Sequence, residues 1–452
     1  MRDSRFFPLS VPLLAFLLAS CTGAPVGNPP SSDDGGYVFT LDGQAFIPRA
    51  FSLEGTPETI RPGDVIQVNE FVLTVGEERV CRFKADSAAG RLSIAMPDGT
   101  DRLVAVRVFR ADGSPERIVN PLGGLSDEAI RGLRGVAIDS MDTPVADRLR
   151  IIDPYHACVA IRTDMLDLKL LPDDLRYLYT DFRDCRLGLF DFSRLCKFKK
   201  LKFLLIGFLQ MGFDGAWLSD CSELSYFDLS CATVTGVEAI GGLSRLRHLG
   251  VYWYDVKNLA WIRGLTMLRQ LYLEEMSASD LTPLDGLAGL KSLQVGGGRG
   301  KSPAAADAFR DFSRRHPSCR VVVGGPAVLA DCTRIRVRSG GIYRVWSYEK
   351  TLVVEIDGDA IRAVVENIHF KDDIGVCRCT GDPTLEFFRG FELVAMMAVH
   401  HGLCLSADRW VNSGWLMPES SDYLCNWLMR IGVGGPLEQL LQQREEEKKR
   451  QK

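Results

Sequence analysis

Between Leu201 and Val295 one arrangement of apolar positions returns five times: Leu201/Leu204/Ile206, Leu224/Phe227/Leu229, Leu246/Leu249/Val251, Leu268/Leu271/Leu273 and Leu290/Leu293/Val295. The first members lie 23, 22, 22 and 22 positions apart. The last two residues of each triplet are two apart, so they share one face of a strand while the residues between them point the other way. The stretches between triplets are periodic as well. Val234 matches Val256, and Val237, Leu259 and Leu281 form a series, as do Ile240, Ile262 and Leu284, and Leu243, Leu265 and Leu287. A single unit built this way exposes apolar surface on both its strand and its return, so the units are predicted to stack into one column. Degenerate copies extend the pattern upstream: Leu133/Val136/Ile138, His156/Val159/Ile161 and Leu175/Leu178/Thr180.

L-x-x-L-x-L at this period resembles the leucine-rich repeat, and the segment DLTPLDGLAGLKSLQV at 280–295 resembles the units of bacterial internalin-like proteins. The resemblance implies an α/β solenoid whose parallel sheet lines a concave face, and a role in recognition instead of turnover. One position departs from it. The buried asparagine spine of such arrays is replaced by Leu209, Ala232, Tyr254, Met276 and Gly298, so the backbone amides served by that spine need other partners.

The flanks read differently. Residues 37–120 hold short β-rich runs punctuated by Gly, Pro and Asp, the pattern of a small β-domain. The repeat region spans 121–323 and closes with a Gly-rich link, a helix and the strand CRVVV. Residues 331–436 combine strands with two helices, predicting an α+β domain, and 437–452 form a highly charged, helix-forming tail. The Gly-rich link lacks the order of a phosphate-binding loop.

The N-terminus changes the picture most. Arg2 and Arg5 precede an apolar run that ends in Leu18-Ala19-Ser20-Cys21. It is too short to span a bilayer and reads as a secretory signal over 1–20. Its ending resembles the lipobox of bacterial lipoproteins, which implies lipid attachment at Cys21, an outer-membrane anchor in the cell envelope, and a flexible tether over 21–36. A net charge of −4 argues against a nucleic-acid partner. In an oxidising compartment the remaining cysteines can pair. Cys158, Cys185, Cys196, Cys221 and Cys231 fit core or strand-edge packing, and a Cys319–Cys332 disulfide is left open by the spacing.

The candidate binding residues are those facing outward between the repeat leucines: Tyr226, Asp228, Arg247, His248, Tyr252, Trp253, Arg269, Tyr272 and Glu274. Tyr226, Tyr252, Trp253 and Tyr272 predict an aromatic stripe flanked by both charges, suited to a protein or peptide partner. Glu274 and Glu275 diverge as strand neighbours and do not read as an acid/base pair. No cofactor is expected for this recognition role. A second candidate is a zinc site of Cys377, Cys379, His400 and Cys404, which would make the C-terminal domain a metal-dependent hydrolase; a buried disulfide or a core histidine are the plainer readings. No G-x-S-x-G motif is present, and the chain as a whole reads as a non-enzyme.

Overall fold

A computed structural model of the chain describes residues 38–450, apart from 43, 46–47, 52–59, 112–116, 141–146, 164–165, 182–191, 277, 296–302, 324–328, 330–331, 342–350, 372–380, 390–391 and 409–413. The chain divides between Gly36 and Tyr37, and the described residues all belong to the second unit. The expected signal segment, Cys21 and the expected tether lie outside them. No described helix is long and apolar enough to cross a membrane.

Among the described residues, fifteen strands form one sheet. Its spine is a parallel ladder through Gly135–Ile138, Cys158–Ile161, Tyr177–Asp181, Phe203–Asp214, Tyr226–Thr235, His248–Val256, Gln270–Met276, Ser292–Val295 and Arg320–Val323. The pairing keeps the sequence period. Leu204, Phe227, Leu249, Leu271 and Leu293 are in register across the sheet, and all are buried. Each strand is entered through the same tight turn, in which Leu224, Leu246, Leu268 and Leu290 donate their amides to carbonyls three residues back. On the convex side Ile240, Ile262 and Leu284, then Leu243, Leu265 and Leu287, stack into the same continuous core. A fully buried leucine contributes about 1.5–3 kcal/mol, so this column is the main source of the array's cohesion.

At the positions without the asparagine spine the ladder is extended. Several strands continue past the triplet: Phe213 and Asp214 pair with Val234 and Thr235, and Asp255 and Val256 pair with Glu275 and Met276. Register irregularities separate these second pairings from the first. Beyond them Gly215 donates to the Thr235 carbonyl at 2.8 Å and Ala278 to the Val256 carbonyl at 3.1 Å. These amides bond to the neighbouring strand's backbone.

The degenerate units are genuine rungs, with one substitution of role. His156 does not fill the first core slot; it is exposed, and Ala157 is buried in its place. The ladder also reaches further back than the apolar triplets indicate. Asp101–Arg110 pairs in parallel with Gly135–Ile138, placing Val106 and Val108 in the solenoid core, while its other edge pairs antiparallel with Arg91–Ala95. The sheet therefore runs without a break from the β-rich N-terminal segment into the repeats.

Arg49–Phe51, Val65–Val68 and Phe71–Thr74 form a separate three-stranded sheet, in which the strands Val65–Val68 and Phe71–Thr74 have buried side chains on both faces. Ile66, Val68, Phe71 and Leu73 join the N-terminal core. Val65 and Val72 pack the other way, onto Ala137, Cys158, Ala160, Tyr177, Tyr179, Phe203 and Tyr226 of the solenoid's concave face.

C-terminal to the repeats, six strands form a sheet in the order Thr351–Glu355, Arg334–Arg338, Thr384–Arg389, Glu392–His400, Cys404–Asp408, Gly414–Trp415, with every pairing antiparallel. Helices Gly358–Glu366 and Pro418–Arg430 share its core through Ile361, Val364, Leu424 and Leu428. The charged tail is a helix, Gly435–Arg450, and is more than a solvated end. Leu440 is fully buried, and Arg444 donates to Asp422 at 2.7 Å.

Candidate functional site

Two columns of concave-facing positions cross the ladder. One reads Gly135, Cys158, Tyr177, Phe203, Tyr226, His248, Gln270, Ser292; the other reads Ala137, Ala160, Tyr179, Leu205, Asp228, Gly250, Tyr272, Gln294. Their chemistry changes along the array. The early positions are small or apolar, and the three-stranded sheet covers them. Gly135 has to be a glycine here, since a Cβ on it would lie 2.3 Å from the Val72 carbonyl oxygen. Polar bonds fix the cover in place: Thr74 donates its amide to the Arg134 carbonyl at 3.0 Å, and Arg162 donates to the Glu70 carbonyl at 2.9 Å. From His248 onward the first column turns polar and half-exposed at His248, Gln270 and Ser292, while the second stays buried at Gly250 and Tyr272 and becomes polar and half-exposed only at Gln294. These four half-exposed positions mark the open part of the concave face.

A hydrogen-bonded group marks the boundary. The Tyr226 hydroxyl donates to Asp228 Oδ2 at 2.7 Å, and His248 Nε2 donates to Asp228 Oδ1 at 2.8 Å. His248 Nδ1 lies 3.0 Å from Gln270 Oε1, linking three adjacent strands. The Tyr226 ring is stacked between Phe203 at 4.6 Å and His248 at 4.1 Å, the latter pair only 2° from parallel. Gly250 provides the room for this group. A Cβ there would fall 2.0 Å from Asp228 Oδ1 and 2.9 Å from the Tyr252 ring.

The expected stripe of outward aromatics is thus two separate stacks. Tyr226 and Asp228 are 2% and 4% exposed, so they build the floor of the face and offer no open contact surface. The cause is the covering sheet on one side and the stacked His248 on the other. Tyr272 is also buried and packs on Tyr252, ring centroids 4.7 Å apart. His248, Tyr252 and Arg247 are half-buried, and Arg269 is exposed. The side chains of Trp253 and Glu274 lie outside the described residues. Gln270, Ser292 and Gln294, which line the open part beside them, carry little signal as isolated polar residues; only the register reveals that they align.

The zinc candidate is brought together only in part. His400 pairs directly with Cys404 across two antiparallel strands, and both are buried. Cys377 and Cys379 lie outside the described residues. Burial, with the neighbouring charge of His401, pushes the His400 pKa down to about 4. Among the described residues no three His, Cys, Asp or Glu side chains converge as a metal centre. The same sheet face carries a buried ionic group: Arg338 Nε donates to Glu386 Oε1 at 2.6 Å and Arg336 Nη1 to Oε2 at 3.2 Å.

The cysteines are mostly core residues. Cys158 packs beneath the covering sheet and Cys221 in the solenoid core, whereas Cys196 is exposed. Cys185 and the side chain of Cys231 lie outside the described residues. Cys319 is a free thiol, so no Cys319–Cys332 disulfide forms, and burial raises the Cys319 pKa to about 11.

No protein-family model matches the chain, and no curated protein matches it. Several solved structures overlap it in part. Internalin C2 of Listeria monocytogenes is 17% identical over 44% of this chain and 84% of its own, with a TM-score of 0.31. An internalin, InlF, of the same organism is 15% identical over 49% of this chain and 73% of its own, with a TM-score of 0.33. A leucine-rich-repeat protein of Leptospira interrogans is 16% identical over 44% of this chain and 51% of its own, with a TM-score of 0.34. The in-register parallel ladder, with its 22-residue step and stacked convex turns, makes the central part of this chain a leucine-rich-repeat solenoid.

Proposed function

We propose that this protein is a recognition protein that docks a protein or peptide partner on the open part of its concave sheet, from His248 to Gln294. The observation that carries the reading is the change along the two concave columns. Small and apolar positions accept a covering sheet from the chain itself, and beyond Asp228 the columns present half-exposed polar side chains at His248, Gln270, Ser292 and Gln294. A solenoid concavity offers a rigid, extended surface to a partner. Here the Tyr226–Asp228–His248–Gln270 network holds that surface's first residues in fixed rotamers, which lowers the entropy lost on binding.

The reading includes the location. The lipobox-like ending at Cys21 and the polar tether after it support a lipid-anchored protein of the cell envelope, displaying the solenoid away from the membrane. Affinity capture from envelope extracts tests the function, comparing the parent with a His248→Ala/Tyr252→Ala variant. A partner captured by the parent and lost by the variant is the expected result. Equal capture by both would overturn the concave-face assignment. Radiolabelled fatty-acid incorporation that persists in Cys21→Ala would overturn the anchor.

A further inference from the structure

A row of basic residues runs along the rim where the ladder strands begin. Lys202 donates its amide to the carbonyl of Arg176, Ser225 to Lys202, Arg247 to Ser225, Arg269 to Arg247, Lys291 to Arg269 and Arg320 to Lys291, each at 2.8 or 2.9 Å. Seven consecutive rungs therefore place six cations and one serine in a single line, with no acidic residue among them. Adjacent rungs are about 4.8 Å apart, so these positions gather six basic side chains along one edge of a chain whose net charge is −4. An edge that concentrates one sign of charge favours an anion laid along it.

The two halves of the row differ. At the early end Glu223 supplies a counter-charge: its hydrogen bond from Lys200 holds its pKa below the usual value, and the charges of Arg176 and Lys202 act in the same direction. Arg269 and Lys291 are exposed, and among the described residues neither has an ion-pair partner. They border Gln270, Ser292 and Gln294 of the open concave face, whose amides and hydroxyl can bond to peptide groups.

We propose that the rim Arg247–Arg269–Lys291 is the docking edge for an extended acidic polypeptide segment, and that it sets the charge of the partner taken by the concave face. This rests on the binding reading above. A single nucleic-acid strand would also match the charge, but it requires open aromatic faces for its bases. Among the described side chains beside this rim the aromatic rings are engaged with each other: His248 is stacked on Tyr226, and Tyr252 packs on Tyr272.

The test is fluorescence anisotropy of a labelled oligoglutamate peptide with the full chain, run beside a labelled single-stranded oligonucleotide of equal charge. Arg269→Gln/Lys291→Gln is expected to weaken peptide binding about five- to tenfold, from the usual worth of exposed ion pairs, with the parent's affinity falling as salt is added. Lys257→Gln/Arg263→Gln removes two exposed cations away from the rim and should leave binding within a factor of two. Equal loss in both variants, or no binding by the parent, overturns the rim. Tighter binding of the oligonucleotide through Arg269 and Lys291 overturns the choice of partner. The two readings fail separately. His248→Ala/Tyr252→Ala should abolish envelope capture and leave oligoglutamate binding intact, so capture that survives that variant sinks the concave face alone.

Discussion

Gly250→Ala tests the packing at the centre of the concave face, because the structure assigns that glycine one purpose. An added Cβ would stand 2.0 Å from Asp228 Oδ1, where real Cβ contacts essentially never fall below 3.0 Å, so the carboxylate has to retreat by at least 1 Å. That oxygen accepts from His248 at 2.8 Å, and its partner oxygen accepts from the Tyr226 hydroxyl at 2.7 Å. A displacement of this size carries at least one of the two contacts past hydrogen-bonding distance. Bonds to a charged group contribute about 1.5–3 kcal/mol each, and a buried group left unsatisfied costs more. Replacing a strand glycine with alanine returns about 0.5–1 kcal/mol. The net expectation is a loss of about 2–4 kcal/mol, read from urea denaturation at neutral pH. Gly286→Ala serves as the control, since nothing lies within 4 Å of its added Cβ; it should be neutral or slightly stabilising. If Gly250→Ala also proves neutral or stabilising, Asp228 does not occupy the space above Gly250 and does not bridge Tyr226 and His248.

Other perturbations probe the remaining elements. Gly135→Ala drives a Cβ against backbone and side chain of the covering sheet, at 2.3 Å from the Val72 carbonyl and 2.9 Å from Leu73 Cβ; it should cost about 1–3 kcal/mol and speed limited proteolysis within residues 49–74. Glu386→Ala strands Arg336 and Arg338 in the C-terminal sheet and should destabilise by about 3–5 kcal/mol in the same denaturation assay. His400 gives a pH signature. Its folded pKa of about 4 lies below the ordinary 6.5, so the fold holds it neutral while the unfolded chain takes up the proton. Stability should be unaffected by this group above about pH 6.5 and fall by roughly 3 kcal/mol between pH 6.5 and 4, at about 1.4 kcal/mol per unit. His400→Gln should flatten that slope; a variant with the parent's full slope would contradict the burial.

The repeats were legible because their signal is written many times. The leucines at 204, 249, 271 and 293 and the convex series from Ile240 to Leu287 recur at one period, and the register follows them residue by residue. The start of the ladder was hidden by a different cause. Asp101–Arg110 has no L-x-x-L entry and reads as another strand of the β-rich segment, although Val106 and Val108 occupy repeat positions. The burial of Tyr226 and Asp228 was not legible at all. Alternation correctly puts them on the concave side, but what covers that side comes from residues 65–74, more than a hundred positions away. FVLT at 71–74 carried a faint clue: a continuous apolar run signals burial on both faces. The basic rim is visible in the sequence only after the rungs are aligned, since Arg247, Arg269 and Lys291 are 22 positions apart and each reads alone as a solvated charge.

The central claim is that the open part of the concave sheet receives a partner. Site-specific photo-crosslinking in cells tests it most directly, with a photoreactive phenylalanine analogue placed at Tyr252 or Gln294 on that face and at exposed Arg263 on the convex side. The account predicts a discrete higher-mass adduct from Tyr252 and Gln294 and none from Arg263. Adducts from Arg263 with none from the two concave positions would contradict it.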